Sequence, residues 1–246
     1  MQTPPSYLIV GASGTIGSAV ARQLAAPGVH LGLHYCTNRS KASALKSQLE
    51  AAGASCALLP SGLGSESACR ALVTAFSRGR RRLDGVALCA GTINWAPWRG
   101  LTDGDWRRVF FEHCIAPFSL ARAAAARMVR ARGGRIVFLS SISPKYGGSA
   151  KTLHYAAAKA ALETAMRGLA RELGRSGIRV NGVRAGFVDT PQQRAGRDAG
   201  ELARRIRQIP VGRAGTPEEV ASALVYLLSA HASFINGEII TVAGGD

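Results

Sequence analysis

A chain of 246 residues with 47% hydrophobic and 19% charged side chains can bury a core without staples, and no apolar run in it approaches the length that spans a bilayer. The five cysteines, Cys36, Cys56, Cys69, Cys89 and Cys114, form no C-x-x-C pair and no ligand-like spacing, which argues against a disulfide framework and against a metal site. The formal charge of +16 would attract polyanions, but no nucleic-acid-binding motif is visible and aromatic residues are only 6%, so nucleic acid is not the expected partner.

The start, MQTPPSYLIVGASG, has no basic n-region and no signal-peptide core, so a cytoplasmic protein without a membrane anchor is expected. The apolar run 7–10 reads as a strand. It is followed at once by Gly11-Ala12-Ser13-Gly14-Thr15-Ile16-Gly17 and then by a helical pattern over 16–26. Glycines between a strand and a helix let the chain bend tightly and bring its backbone close to a pyrophosphate, while the helix N-terminus offers N–H donors. A dinucleotide site is therefore expected there. The second strand, 30–35, ends at Tyr35 and leads through Cys36-Thr37-Asn38-Arg39-Ser40-Lys41 into a helix over 40–52. An acidic residue at this place holds a ribose 2′-hydroxyl, whereas basic residues accept a 2′-phosphate. None of these residues is acidic, so NADP(H) is favoured over NAD(H); the alternative is that Arg39 and Lys41 decorate a solvated helix start.

Strands at 55–60, 85–90, 135–140, 179–186 and 238–244 then alternate with helices at 65–78, 103–132, 154–175 and 217–229. The tightest basic run, Arg78 to Arg82, falls in a helix-to-strand connection. Alternating β and α segments with strands too apolar to have a wet face predict an α/β fold: one Rossmann domain over 1–246, a doubly wound, seven-stranded parallel sheet with helices on both faces. The segment 187–210 lacks sheet periodicity and reads as a mobile substrate-loop lid with short helices.

Within the helix 154–175, Tyr155 and Lys159 stand at i and i+4 and share a face. An ammonium beside a phenol favours the phenolate, so the pair can exchange a proton with an alcohol or carbonyl oxygen.

GASGTIG, Cys89-Ala90-Gly91, GRIVFLSS (134–141), YAAAK, IRVNGVRAGFVDTP (178–191), GRAGTPEEVA (212–221) and FINGEIITVAGG (234–245) together resemble the short-chain dehydrogenase/reductase family over essentially the whole chain. The similarity is greatest to its compact branch, which contains the β-ketoacyl-acyl-carrier-protein reductases. The resemblance implies an enzyme with Tyr155 as proton donor or acceptor, Lys159 on the nicotinamide ribose, and Ser141 on the substrate oxygen, with Ser140 and Ser143 as rivals for that place. It implies cofactor contacts from Gly11, Ser13, Gly14, Thr15, Ile16, Gly17, Tyr35, Arg39, Ser40, Ala90, Gly91, Gly186, Val188 and Thr190. The substrate expected is a 3-oxoacyl thioester in fatty-acid or polyketide-type metabolism, carried by an acidic acyl carrier protein, and the expected assembly is a homotetramer.

The sequence also departs from the family pattern. Thr15 stands where the compact branch has Gly, Cys89 where Asn is common, Gly62 where Asp contacts adenine, and Ala185 where Pro precedes Gly. His113 occupies the position of the fourth catalytic residue, an Asn. Because histidine titrates near neutrality, His113 is expected either to carry part of the proton relay, adding a slope to the pH profile, or to be a packing residue. A free small-molecule ketone, and a catalytically weak cofactor-binding homologue, are the alternative functions. The lid arginines Arg194, Arg197, Arg204, Arg205 and Arg207 are candidates for a positive patch facing a carrier protein. Arg130, Arg132 and Arg175 could lie on the same side as the site or on the far side.

Overall fold

The computed structural model describes residues 4–78, 82–195 and 197–246; the middle of the arginine run, 79–81, lies outside them. Seven strands form one parallel sheet in the order β3-β2-β1-β4-β5-β6-β7: β1 Ser6–Val10, β2 His30–Tyr35, β3 Ser55–Pro60, β4 Gly85–Leu88, β5 Gly134–Ser141, β6 Ile178–Ala185 and β7 Ile239–Val242. The order reverses between β1 and β4, and at such a switch point a crevice opens beyond the strand C-termini.

Both faces of the sheet are dry over its central strands, while the edge strands β3 and β7 are partly exposed. Leu8, Val10, Val86, Leu88, Ile136 and Phe138 pack with α3 (Glu66–Ser77), α5 (Ala116–Arg130) and α7 (Leu153–Leu173), through Phe76, Leu120, Met128, Leu162 and Met166. The alternate residues Ile9, Ala87 and Val137 face α1 (Thr15–Leu24), α2 (Arg39–Ala51) and α10 (Pro217–Leu228), through Val20, Leu45, Leu49, Val220 and Leu224. Successive strand residues point to opposite faces, so continuous apolar runs fill two cores at once.

The helix expected over 103–132 is interrupted. It comprises α4 (Asp103–Phe110), capped by a reciprocal Thr102–Asp105 box, then a π-helical turn over Phe111–Ile115, then α5. Pro117 has no N–H to give to the carbonyl four residues back, that of His113, and the wider turn accommodates the missing bond. The remaining helices are short: α6 (Ser143–Tyr146), α8 (Pro191–Ala195) and α9 (Ala199–Arg207), the last two within the segment read as a lid. No helix among the described residues is long and apolar enough to cross a membrane. Arg130 and Arg132 precede β5, and Arg175 precedes β6, so all three sit at the strand N-terminal edge, opposite the crevice.

Candidate active site

The glycine turn is built from behind by its neighbours. The Gly11 N–H donates to His34 Nδ1 at 3.0 Å, and His34 Nε2–H donates to the Ser61 carbonyl at 3.0 Å, so this buried imidazole bridges the turn to the end of β3. Burial holds its pKa below the ordinary range, with the Ser61 bond opposing, which keeps the ring a neutral acceptor for Gly11. Gly11 has φ +85°, and a Cβ there would stand 2.8 Å from the Ala90 backbone; a Cβ on Gly17 would run into the Gly11 carbonyl oxygen. Only glycine lets α1 start this close to β1 and β4.

No side chain caps α1 at Gly14, and its first turn holds no acidic residue. The helix therefore presents its positive end to the cleft. One continuous cleft runs from Gly14, Thr15, Ile16 and Gly17, past Ala90 and Gly91, to Ser141, Tyr155 and Lys159, and on to Gly186, Val188 and Thr190. These residues fit a nicotinamide dinucleotide: an uncapped helix N-terminus for the diphosphate at one end, proton-bearing groups at the other. A second cavity, lined by His34, Cys36, Thr37, Leu63 and Gly64 and sharing Ala90 and Gly91, extends from β2 towards Arg108.

Among the expected cofactor residues, Tyr35 is buried at the end of β2 and, like Gly11, Ser13, Arg39 and Ser40, lines neither of these two cavities, whereas Cys36 and Thr37 line the second. Arg39 and Ser40 stand exposed in the first turn of α2, where Asn38 accepts from the Lys41 N–H at 3.0 Å.

At the far end of the cleft the three serines separate. Ser140 donates to Glu163 Oε1 at 2.7 Å, and Glu163 takes both Arg184 Nε at 2.8 Å and Nη2 at 2.5 Å, so Ser140 belongs to a network tying β5, α7 and β6 together. Ser141 faces the cleft. Its Oγ accepts the Ser143 N–H at 3.1 Å and donates to Ser143 Oγ at 3.0 Å, leaving Ser143 as its support.

Burial pushes the Tyr155 phenol up to about 12, opposed by a hydrogen bond with Ser141 and reinforced by the Glu112 carboxylate, so the phenol and not the phenolate expected beside an ammonium is the favoured form. Lys159 Nζ donates to the Leu139 carbonyl at 2.8 Å and stands 5.8 Å from the Tyr155 ring centre. Burial lowers its pKa to about 8, against the raising effects of Cys89, Glu112, Glu163 and Cys114.

His113 points inward from the π turn and is almost wholly buried. Its Nε2–H donates to the Thr92 carbonyl at 2.8 Å, and its ring meets Tyr155 edge to face at 4.8 Å. Glu112 receives the Thr92 N–H at 2.6 Å and hydroxyl at 2.7 Å, so neighbouring residues of the turn clamp the loop after β4. Burial, and then the Lys159 charge, drive the His113 pKa down to about 3 against the Thr92 bond. With its pKa this low the ring is neutral near pH 7, and Glu112 Oε1, 3.7 Å from Nε2, forms no ion pair with it in that form. The Nδ1 atom is buried with no partner.

A parallel sheet with a phosphate-binding turn at its switch point, leading to a Ser, Tyr and Lys cluster, defines a nucleotide-dependent oxidoreductase. A family model described as "Enoyl-(Acyl carrier protein) reductase" matches residues 11–246. The chain is 35% identical to the uncharacterized oxidoreductase YmfI of Bacillus subtilis over 97% of both chains. It is 33% identical to the 3-oxoacyl-[acyl-carrier-protein] reductase FabG of Escherichia coli, covering 97% of this chain and 95% of that one. A short-chain type dehydrogenase/reductase from Mycobacterium ulcerans superposes with a TM-score of 0.90 at 31% identity, covering 98% of this chain and 89% of that one. The chain belongs to the short-chain dehydrogenase/reductase family, whose members bind a nicotinamide nucleotide.

Proposed function

We propose that this protein reduces the carbonyl of a 3-oxoacyl thioester to a secondary alcohol with NADPH, with Ser141, Tyr155 and Lys159 as its reacting cluster. The observation that carries this reading is the convergence of these three side chains at one end of the cleft that begins at the glycine turn. When bound, the nicotinamide supplies the hydride. Ser141 holds the carbonyl oxygen, and Tyr155, kept protonated by burial, gives its proton to that oxygen. Lys159 holds the nicotinamide ribose and supplies positive charge beside the phenol. His113, fixed on Thr92, packs beneath the Tyr155 ring and keeps it in place.

The choice of NADPH rests on the end of β2, where no carboxylate stands and Arg39 and Ser40 are exposed. The choice of thioester rests on the FabG relatives and on the positive charge of the segment 187–210, which is the lid of the site in this reading. Arg205 is not free for a carrier protein, because it is drawn inward onto Asp246 and the Phe187 ring; Arg204 and Arg207 remain exposed.

One assay tests the reading: oxidation of NADPH and of NADH with a 3-oxoacyl carrier protein and with its small-thioester mimic, in wild type and Tyr155→Phe. NADPH should be preferred, the carrier-bound substrate should be faster at low salt, and Tyr155→Phe should lower turnover about 10²- to 10⁴-fold while cofactor binding persists. Wild-type turnover in Tyr155→Phe overturns the assignment. Equal, salt-independent rates on both thioesters redirect the reading to a free small-molecule ketone.

A further inference from the structure

Beside the catalytic cleft a third hollow opens under α9. Trp95 and Arg197 line both this hollow and the cleft, and Lys151, Glu201, Arg204 and Arg205 complete the charged wall of the hollow. Its floor is held by backbone bonds from Ala96 N–H to the Lys151 carbonyl and from Trp98 N–H to the Ala150 carbonyl, both 3.0 Å.

The charges in this hollow do not balance. Lys151 pairs with Glu201 at 3.8 Å, and Arg205 pairs with Asp246, which also accepts from Lys145 Nζ at 3.0 Å. Arg197 and Arg204 have no carboxylate in ion-pair contact among the described residues. Arg204 is exposed and solvated, whereas Arg197 is half-buried. The Arg197 guanidinium lies 4.6 Å from the Trp95 ring centre and 5.2 Å from that of Phe187, a ring it shares with Arg205 at 5.8 Å. Its hydrogen-bond partners are neutral: the Gln193 carbonyl at 3.4 Å and Gln193 Oε1. Burial first, and repulsion from Arg205 second, hold its pKa below the usual guanidinium range, with Glu201 opposing. A half-buried cation facing another cation is less stable than a solvated one unless a counter-charge arrives.

We propose that Arg197 is a specificity-determining residue that recognises an anionic group on the carbonyl substrate, a carboxylate or a phosphate, seated in this hollow while the carbonyl lies at Tyr155. Gln193 occupies only Nη1 of the guanidinium laid on the indole, and the remaining Nε–Nη2 edge matches two oxygens of either anion at once. The inference rests on the proposed function only for the position of the carbonyl; the anion site stands on its own geometry.

The test is calorimetric titration of the protein saturated with NADP⁺, using two matched pairs. One is pantetheine 4′-phosphate against pantetheine, and the other is 3-oxobutanoate against its methyl ester. The anionic member of at least one pair should bind about tenfold or more tightly than its neutral partner, and the pair that shows this identifies phosphate or carboxylate as the source. In Arg197→Gln that ratio should fall towards one, and Arg197→Lys should recover part of it. A wild-type ratio near one for both pairs, or a ratio unchanged in Arg197→Gln, overturns the proposal. So does an equal loss of NADP⁺ affinity in Arg197→Gln, which would put the guanidinium on the cofactor diphosphate. Reduction of the neutral ester is read separately: binding discrimination without turnover of any ketone would sink the proposed function and leave the anion site intact.

Discussion

At the scale of single residues the site is a set of buried groups whose protonation is set by their surroundings. Tyr155, pushed up to about 12, remains a phenol at neutral pH and is poised to donate rather than accept. Lys159, lowered to about 8, is charged below that value and loses its ammonium as pH rises through it. Reduction that depends on this charge should be at its plateau at neutral pH and decline above about 8, measured as kcat/KM across about pH 5 to 9.5. His113 has a pKa of about 3 and should add no inflection in that range. Its replacement by Asn should therefore leave the shape of the profile unchanged. A rate flat to the alkaline end would remove the Lys159 charge from the reaction, and an inflection near neutrality lost in His113→Asn would restore the histidine to the relay.

Among the elements, the turn between β1 and α1 and the π turn before α5 place the reacting groups. The first works by close approach. Gly17→Ala would put a Cβ, fixed rigidly to its own backbone, against the Gly11 carbonyl oxygen, and because Gly11 is itself bonded to His34 and stands close against Ala90, the turn must open. NADP(H) affinity should fall by about tenfold or more, with about 1–3 kcal/mol of stability lost, read by fluorescence titration and urea unfolding. Retention of wild-type affinity would show that the turn tolerates widening. The π turn works by re-aiming side chains: five residues, Phe111–Ile115, bring Glu112 and His113 onto the Thr92 loop while α4 and α5 keep packing on α7.

Over the whole molecule, the reversal of strand order between β1 and β4 gathers the glycine turn, the end of β5 and the start of α7 at one edge of the sheet. Apolar side chains remain exposed on the helical surface, with Ile115 at 47%, Val129 at 44% and Leu153 at 40%, along the α4–α5 run and at the start of α7. Scattered exposed apolar residues are ordinary, but these lie on the Ala-rich helices that allow close helix contact. A homotetramer, with a dimer as fallback, is the expected assembly. Light scattering at micromolar concentration should return a multiple of 25.7 kDa, and a monomeric mass would count against it.

What the sequence by itself determined was whatever short-range pattern encodes: apolar runs alternating with amphipathic ones, glycines bracketed by a strand and a helix, and Tyr155 and Lys159 one helical turn apart. These yield the seven-stranded fold and the two ends of the cleft, because strand and helix periods are local properties. Tertiary structure alone decided the rest. Ser140 and Ser141 are neighbours in the chain, yet Glu163, 23 residues away, claims the first and leaves the second to the cleft. His113 looks titratable until the Thr92 carbonyl and the Tyr155 ring enclose it. Arg130, Arg132 and Arg175 are assigned to the far edge only once strand direction is known, and Arg205 is withdrawn from the surface by Asp246, 41 residues on. Burial and the partner that relieves it depend on contacts between distant segments, and those contacts, not residue type, set the charge each side chain carries.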